Sequence, residues 1–271
     1  MEAQSRVPVG ELLRQWRQRR RMSQLDLACE AEISTRHLSF LETGRAQPSR
    51  DMLLRLAEWL DVPLRERNAM LLAAGYAPMF PERPLADPSM QAARGAIERV
   101  LAGHEPYPAL AIDRHWTLLM ANAAVPPLLA GVEEAALLQP PVNVLRLSLH
   151  PGGLAPRIAN LGQWRAHLLA RLHRQIEASG DPVLRDLYDE LRDYPAGDGT
   201  PEAEDADDYE FAGIAVPLRF MTPAGTLSFI STTTVFGTPV DLTLAELAIE
   251  AFFPADAASA EMLRLIGGGP A

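Results

Sequence analysis

Ser23 and Ser34 each stand at the head of a short helical pattern, and only Glu32 and Ile33 separate the two patterns. No other feature constrains the fold as strongly, because two short helices joined by so tight a turn need flanking helices to hold them. Such helices are present in the sequence. Upstream, Val9, Leu12, Leu13 and Trp16 recur at i, i+3, i+4 and i+7, an apolar stripe on one helix face. That helix runs out in the basic series Arg17-Gln18-Arg19-Arg20-Arg21. Ser23 caps the second helix with Asp26 three residues on, close to a capping box, and Leu27, Ala28 and Ala31 face inward. Ser34 caps the third, where Leu38 and Leu41 are core, and Gly44 ends it. Ser49 caps a fourth with the stripe Leu53, Leu56, Ala57 and Leu60, and Pro63 opens a fifth that runs to Gly75.

A second helix that protrudes after a tight turn presents its first turn to a major groove. Helix N-termini attract anions, so Ser23-Gln24 suits a phosphate anchor. Charge fits a polyanionic partner for this part of the chain: residues 1–77 hold 12 Arg against 10 acids, a net of +2. Residues 78–271 hold 13 Arg against 25 acids, a net of −12. A mildly basic head on an acidic body is a layout of nucleic-acid modules that carry a sensor.

The spacings of Ser23-Gln24-Leu25-Asp26-Leu27-Ala28, the Ile33-Ser34 turn, Leu38, Leu41-Glu42-Thr43-Gly44-Arg45 and Pro48-Ser49 resemble the XRE (Cro/C1-type) helix-turn-helix family. The resemblance implies that Thr35, Arg36 and Phe40 face bases, with Ser34, His37 and Ser39 beside them, and that Gln24, Arg45 and Arg50 meet phosphates. Arg36 suits guanine O6 and N7, a bidentate contact that contributes about 1–3 kcal/mol of discrimination. Phe40 departs from the polar residue common there. It either touches a thymine methyl or packs against the neighbouring helix.

Pro78, Pro81, Pro84 and Pro88 make a stiff connection, followed by a helix over about 89–103. Three segments are expected: a helix-turn-helix domain over 1–80, a linker and connecting helix over 81–104, and a further domain over 105–271. In the last, the period changes. Residues 108–113 and 116–122 read as two strands around the turn Asp113-Arg114-His115, with Asn122 able to cap a short helix. Helices are expected over 157–178 and, behind Asp181, over 182–194. Two late strands, about 211–221 and 226–236, flank the turn Thr222-Pro223-Ala224-Gly225. Thr243-Leu244-Ala245-Glu246 reads as a capping box for a helix ending at Phe253-Pro254. The fold class is therefore an all-α helix-turn-helix bundle followed by an α+β domain of few strands with helical insertions. The strand, Asp turn, strand and Asn resemble the opening of a PAS-type sensor domain.

The pairing resembles XRE regulators with a C-terminal MmyB-like domain. Carrying that resemblance are Arg65-Glu66-Arg67-Asn68-Ala69, His104-Glu105-Pro106-Tyr107-Pro108, Trp164-Arg165-Ala166-His167-Leu168, Val235-Phe236-Gly237-Thr238-Pro239 and Phe252-Phe253-Pro254-Ala255-Asp256. It implies a PAS-like body that holds a small apolar, fatty-acid-like ligand. Trp116, Leu118, Trp164, Phe229 and Phe236 are candidate walls, with Arg165 or His167 as partner of a carboxylate. The alternative expectation is a DNA-binding regulator whose C-terminal domain is a protein-interaction module with no small-molecule ligand.

No G-x-S-x-G elbow, phosphate loop, dinucleotide fingerprint or H-E-x-x-H is present, so neither an enzyme nor a cofactor is expected. A single cysteine, Cys29, forms no internal disulfide, which with the absence of a long apolar run or signal pattern leads us to expect a cytoplasmic protein away from membranes. Glu202 to Glu210, six acids in nine residues, lacks the central Gly of an EF-hand loop and reads as solvated. The expected assembly is a homodimer on a two-fold double-stranded operator.

Overall fold

A computed structural model of the chain describes residues 7–195, 216–237 and 241–267. The chain divides into two compact units, Met1–Arg83 with Pro239–Ala245, and Pro84–Thr238 with Glu246–Ala271. The acidic stretch Glu202 to Glu210, the start of the strand expected from 211, and the final glycines Gly268 and Gly269 lie outside the described residues.

The first unit holds α1 (Val9–Arg19), α2 (Gln24–Glu30), α3 (Thr35–Glu42), α4 (Arg50–Trp59) and α5 (Leu64–Ala73). Each is too short to persist alone in water, and they are held by one shared core around Leu13, Trp16, Leu27, Leu38, Leu56 and Leu71. The serine caps operate as the sequence indicates. Ser23 and Asp26 form a reciprocal capping box, and the hydroxyls of Ser34 and Ser49 accept from the N–H groups of His37 and Met52. The tight turn between α2 and α3 places Glu32 at φ 54°, a left-handed conformation that disfavours any side chain. Gly10 lets α1 approach α3 closely, since a Cβ there would meet the carbonyl oxygens of Leu41 and Glu42.

The second unit begins with a 3₁₀ turn at Pro88–Met90 and α6 (Gln91–Ala102). Then come β1 (Ala109–Ile112), β2 (Leu118–Ala121), α7 (Pro126–Leu129), α8 (Val144–Leu149), α9 (Leu161–Ser179) and α10 (Pro182–Asp193). The chain continues with β3 (Leu218–Thr222), β4 (Gly225–Val235), α11 (Leu242–Ala245), β5 (Ala248–Pro254) and α12 (Ala257–Gly267). The strands make one antiparallel sheet in the order β2-β1-β5-β4-β3. The molecule is thus an α bundle followed by an α+β unit. α11, although it lies between β4 and β5 in sequence, belongs to the first unit: the Leu242 N–H donates to Pro81 O at 2.9 Å and the Thr243 hydroxyl to Arg83 O at 2.7 Å.

Four local expectations change. The helix expected to end at Phe253-Pro254 stops at Ala245, and Ala248–Pro254 is instead the central strand. Ala, Glu and Phe in that segment carry no firm preference, and pairing with β1 on one side and β4 on the other overrides propensity. Thr243 is not the cap there; Asp241 Oδ1 accepts from the Thr243 N–H at 3.0 Å. The long helix begins at Leu161 rather than Arg157, after a separate 3₁₀ turn at Ala155–Arg157. Asn122, buried, caps nothing with its side chain: it accepts from Ala109 N–H and donates to the carbonyls of Leu101 and Tyr107, joining β1 to the end of α6.

Candidate DNA-reading helix and ligand cavity

α3 is anchored on one side and open on the other. Leu38 and Leu41 are buried, Ser34, Thr35 and Arg36 are exposed, and His37, Ser39 and Phe40 are half-buried. A 3.6-residue repeat puts Arg36 and Phe40 one turn apart on the same face. The guanidinium carbon of Arg36 lies 5.3 Å from the Phe40 ring centre and that of Arg45 lies 5.9 Å away, so two cations share one aromatic ring. Each such contact contributes about 0.5–1 kcal/mol at an exposed site and restrains a side chain that is otherwise floppy. Arg45 and Arg50 are exposed, Arg50 in the first turn of α4.

Behind this face lies a polar network that motif reading did not reveal. Arg17 donates from Nε and Nη2 to the two oxygens of Glu42 at 2.6 and 2.9 Å, and from Nη1 to Met22 O at 2.8 Å. The Arg17 and Glu42 side chains are 10% and 2% exposed. Gln24 donates from its amide to Glu42 Oε2 at 2.7 Å, which fixes the side chain at the N-terminus of α2. Hydrogen bonding to Glu42, with its charge, holds the Arg17 pKa above the ordinary arginine value against the opposing effect of burial. The basic run is therefore not wholly exposed. Arg17 is buried, and Arg20 donates to the carbonyls of Leu60 and Asp61 at the end of α4. The readable signal was Glu42, a carboxylate next to the core position Leu41.

In the second unit the sheet and helices α7 to α9 line a cavity of about 130 Å³. Trp116, Leu118, Trp164 and Phe229 lie on its wall, together with Phe220 and Phe252. The pleat explains the strand contributions: Phe229 and Ser231 on β4, Leu218 and Phe220 on β3, and Glu250 and Phe252 on β5 alternate toward one face. α9 turns Trp164, Leu168 and Arg171 toward the same space at i, i+4 and i+7.

That helical period places the two expected carboxylate partners elsewhere. Arg165, one residue round from Trp164, donates to the carbonyls of Leu191 and Arg192 at the end of α10. His167 stacks on the Trp164 ring, with centroids 5.5 Å apart and planes at 20°, and is not on the wall. Burial, then the charges of Arg171 and Arg174, hold its pKa below the ordinary imidazole value. Phe236 follows the last residue of β4 and does not reach the cavity.

The charged residues on the wall are instead Arg171 and Glu250, neither singled out from the sequence. Arg171 Nη1 and Nη2 donate to Glu250 Oε2 and Oε1 at 2.9 and 2.5 Å, and the Thr233 hydroxyl donates to Oε1 at 3.0 Å. Arg171 also lies 4.5 Å above the Trp116 ring, whose Nε1–H donates to Gln175 at 2.8 Å. Trp116 holds φ 65° in the tight β1–β2 turn, where Asp113 Oδ1 accepts from the N–H groups of His115 and Thr117. The turn thereby aims the indole inward. Trp164 Nε1–H donates to the Ser148 hydroxyl at 3.2 Å.

Among the described residues no group of three or more His, Cys, Asp and Glu could hold a metal ion, and no helix is long and apolar enough to cross a membrane. No curated protein matches the chain. Among solved structures, the clp gene regulator ClgR from Corynebacterium glutamicum is 27% identical over 36% of this chain and 90% of that one; its TM-score of 0.22 is too low to carry an argument. Residues 8–70 match a family described as helix-turn-helix domain. Residues 93–266 match the family described as MmyB-like transcription regulator ligand binding domain. The open face of α3 and the walled apolar cavity fall within those two matches, and the chain belongs to the MmyB-like transcription regulators, with an XRE-type helix-turn-helix domain at its N-terminus.

Proposed function

We propose that the chain is a cytoplasmic, sequence-specific DNA-binding regulator, not an enzyme, whose operator affinity is set by an apolar, fatty-acid-like ligand held in a PAS-like C-terminal unit. The observation that carries this reading is the cavity. Its wall is almost wholly apolar with a few placed polar groups, the make-up of a small-molecule site. At about 130 Å³ it approaches the ~150 Å³ engineered cavity that binds benzene, so a ring or a short alkyl segment fits as it stands, and a longer chain enters by parting the apolar lining. The antiparallel order β2-β1-β5-β4-β3, with α7 to α10 inserted between β2 and β3, supports the PAS-like assignment.

In this reading Thr35 and Arg36 contact base edges, and Phe40 holds Arg36 and Arg45 in place while offering its own edge to a thymine methyl. Ser34, His37 and Ser39 flank them, and Gln24, Arg45 and Arg50 meet phosphates. One head covers one half-site, so a homodimer suits a two-fold operator. The net charge of −12 on residues 78–271 keeps the body off DNA and leaves contact to the head. Ligand that alters the placement of the two heads needs a coupling of only ~1–3 kcal/mol to act as a switch.

Two measurements test the proposal. Operator binding followed by fluorescence anisotropy should weaken steeply with salt and lose sequence preference in the Arg36→Ala/Gln24→Ala double variant; full retention of preference refutes the placement of the reading helix. Lipid extraction and native mass spectrometry of the purified chain should yield a bound apolar molecule. A stable protein partner with no lipid would establish the interaction-module reading in its place.

A further inference from the structure

We propose that the cavity selects an apolar molecule with a neutral hydrogen-bonding head, a hydroxyl or a primary amide, and discriminates against a free carboxylate. The inference rests on the reading of this cavity as a ligand site and narrows the fatty-acid-like class to its uncharged derivatives.

Among the described residues the ionisable groups on the wall are Arg171 and Glu250, and they are paired to each other through two hydrogen bonds. Their side chains are 18% and 5% exposed. The pair is neutral as a unit, so the wall presents no uncompensated cation to an acid. Arg157, whose guanidinium lies 4.4 Å from the Phe220 ring, is not on the wall; it donates to the carbonyls of Leu128, Ala130 and Met221.

A ligand carboxylate reaching Arg171 must therefore share it with Glu250 or displace Glu250. Sharing places two carboxylates at one buried site, where like charges oppose joint ionisation. Displacement leaves the Glu250 carboxylate buried without its cation, the costlier half of a broken ion pair. A neutral head avoids both. A carboxylate offers about four acceptor sites and a guanidinium five donors. Glu250 accepts three hydrogen bonds, two from Arg171 and one from Thr233, while Arg171 places two of its donors on Glu250. A hydroxyl or primary amide carries both a donor and an acceptor, so it can engage each partner and leave the pair intact. Ser148 and Ser231, also on the wall, add hydroxyls but no charge. The rest of the molecule lies against leucine and aromatic side chains, which accept an alkyl chain without further polar demands.

The test uses the full chain and three probes of one length, 1-octanol, octanamide and octanoate, titrated calorimetrically at pH 7.5, where octanoate is ionised. We expect the alcohol and the amide to bind at least tenfold more tightly than octanoate. In Glu250→Gln, Arg171 becomes an unpaired cation, and the order should reverse toward octanoate. Octanoate binding as tightly as octanol to the wild type overturns the inference and leaves the cavity standing as a ligand site. No heat from any of the three at two temperatures well apart, where the heat-capacity change of apolar burial makes binding visible at one of them, overturns the cavity reading itself, and this inference with it. An unreversed order in a folded Glu250→Gln variant, judged by circular dichroism, also overturns it, because the preference then does not come from the pair. If that variant does not fold, the wild-type ranking decides alone.

Discussion

The buried pair Arg17–Glu42 ties α1 to the C-terminal end of α3, and its removal has a calculable consequence. The two charges are about 4 Å apart between centres, and at an effective dielectric of about 20 their attraction is ~4 kcal/mol. Glu42→Ala removes that attraction and strands the Arg17 cation at a site where its side chain is 10% exposed. It also frees the Gln24 amide, which loses its acceptor. Breaking one half of a buried pair costs about 3–5 kcal/mol, a large share of the ~5–15 kcal/mol that holds a domain together. The expected result is destabilisation in that range for Glu42→Ala. A smaller loss is expected for Arg17→Met/Glu42→Leu, because replacing both partners by apolar groups leaves no orphaned charge. Because the chain has two units, a single global unfolding curve is ambiguous. Native-state hydrogen exchange on peptides from residues 9–42, measured in the full chain, reads the local free energy instead. A loss below about 1 kcal/mol in Glu42→Ala, or a double variant no better than the single, refutes the claim that this pair holds α3 in place.

Three further outcomes follow from the geometry. Gly10→Ala pushes a methyl group against the Leu41 and Glu42 carbonyls, the latter at 2.7 Å, and should destabilise the head by about 1–3 kcal/mol, seen as faster exchange in the same peptides. Glu32→Gly relieves the left-handed strain at φ 54°; after the entropy glycine loses, the net gain should be about 0.5–1 kcal/mol, measured as slower exchange of α2 and α3 amides. His167 is held neutral by burial and by Arg171 and Arg174, so its folded pKa lies below its unfolded one. The unfolded chain then binds the proton first, and stability should fall as pH drops from about 6.5 down through the folded value. His167→Gln should flatten that part of the pH–stability profile, and an unaltered slope counts against the assignment.

The N-terminal unit was legible because its signals are local. A serine cap, an i, i+3, i+4 stripe and a terminating glycine act within a turn or two of the residues that carry them, and Ser23, Ser34 and Ser49 all cap where the sequence indicates. The family resemblance rests on the same local spacings. The second unit was less legible. Ala248–Pro254 reads as the end of a helix, yet it lies at the centre of the sheet because β1 and β4, more than a hundred residues apart in sequence, both pair with it. Asn122 has the look of a helix cap, but its three hydrogen bonds are to β1 and the segment before it.

The cavity shows the same division. Trp116, Leu118, Trp164 and Phe229 stand out in the sequence as large apolar side chains near turns and stripes, and they do lie on the wall. Its polar anchor does not stand out, because Arg171 and Glu250 are 79 residues apart and each alone resembles an ordinary surface charge. Sequence by itself determined the helix order of the head, the exposed face of α3 and the family, all consequences of short-range periodicity and capping. Only the tertiary structure decided that Arg17 pairs with Glu42, that α11 belongs to the head, and that Arg171 and not Arg165 or His167 reaches the cavity. The physical reason is that burial and charge pairing depend on which distant segments meet, and no local pattern encodes that meeting.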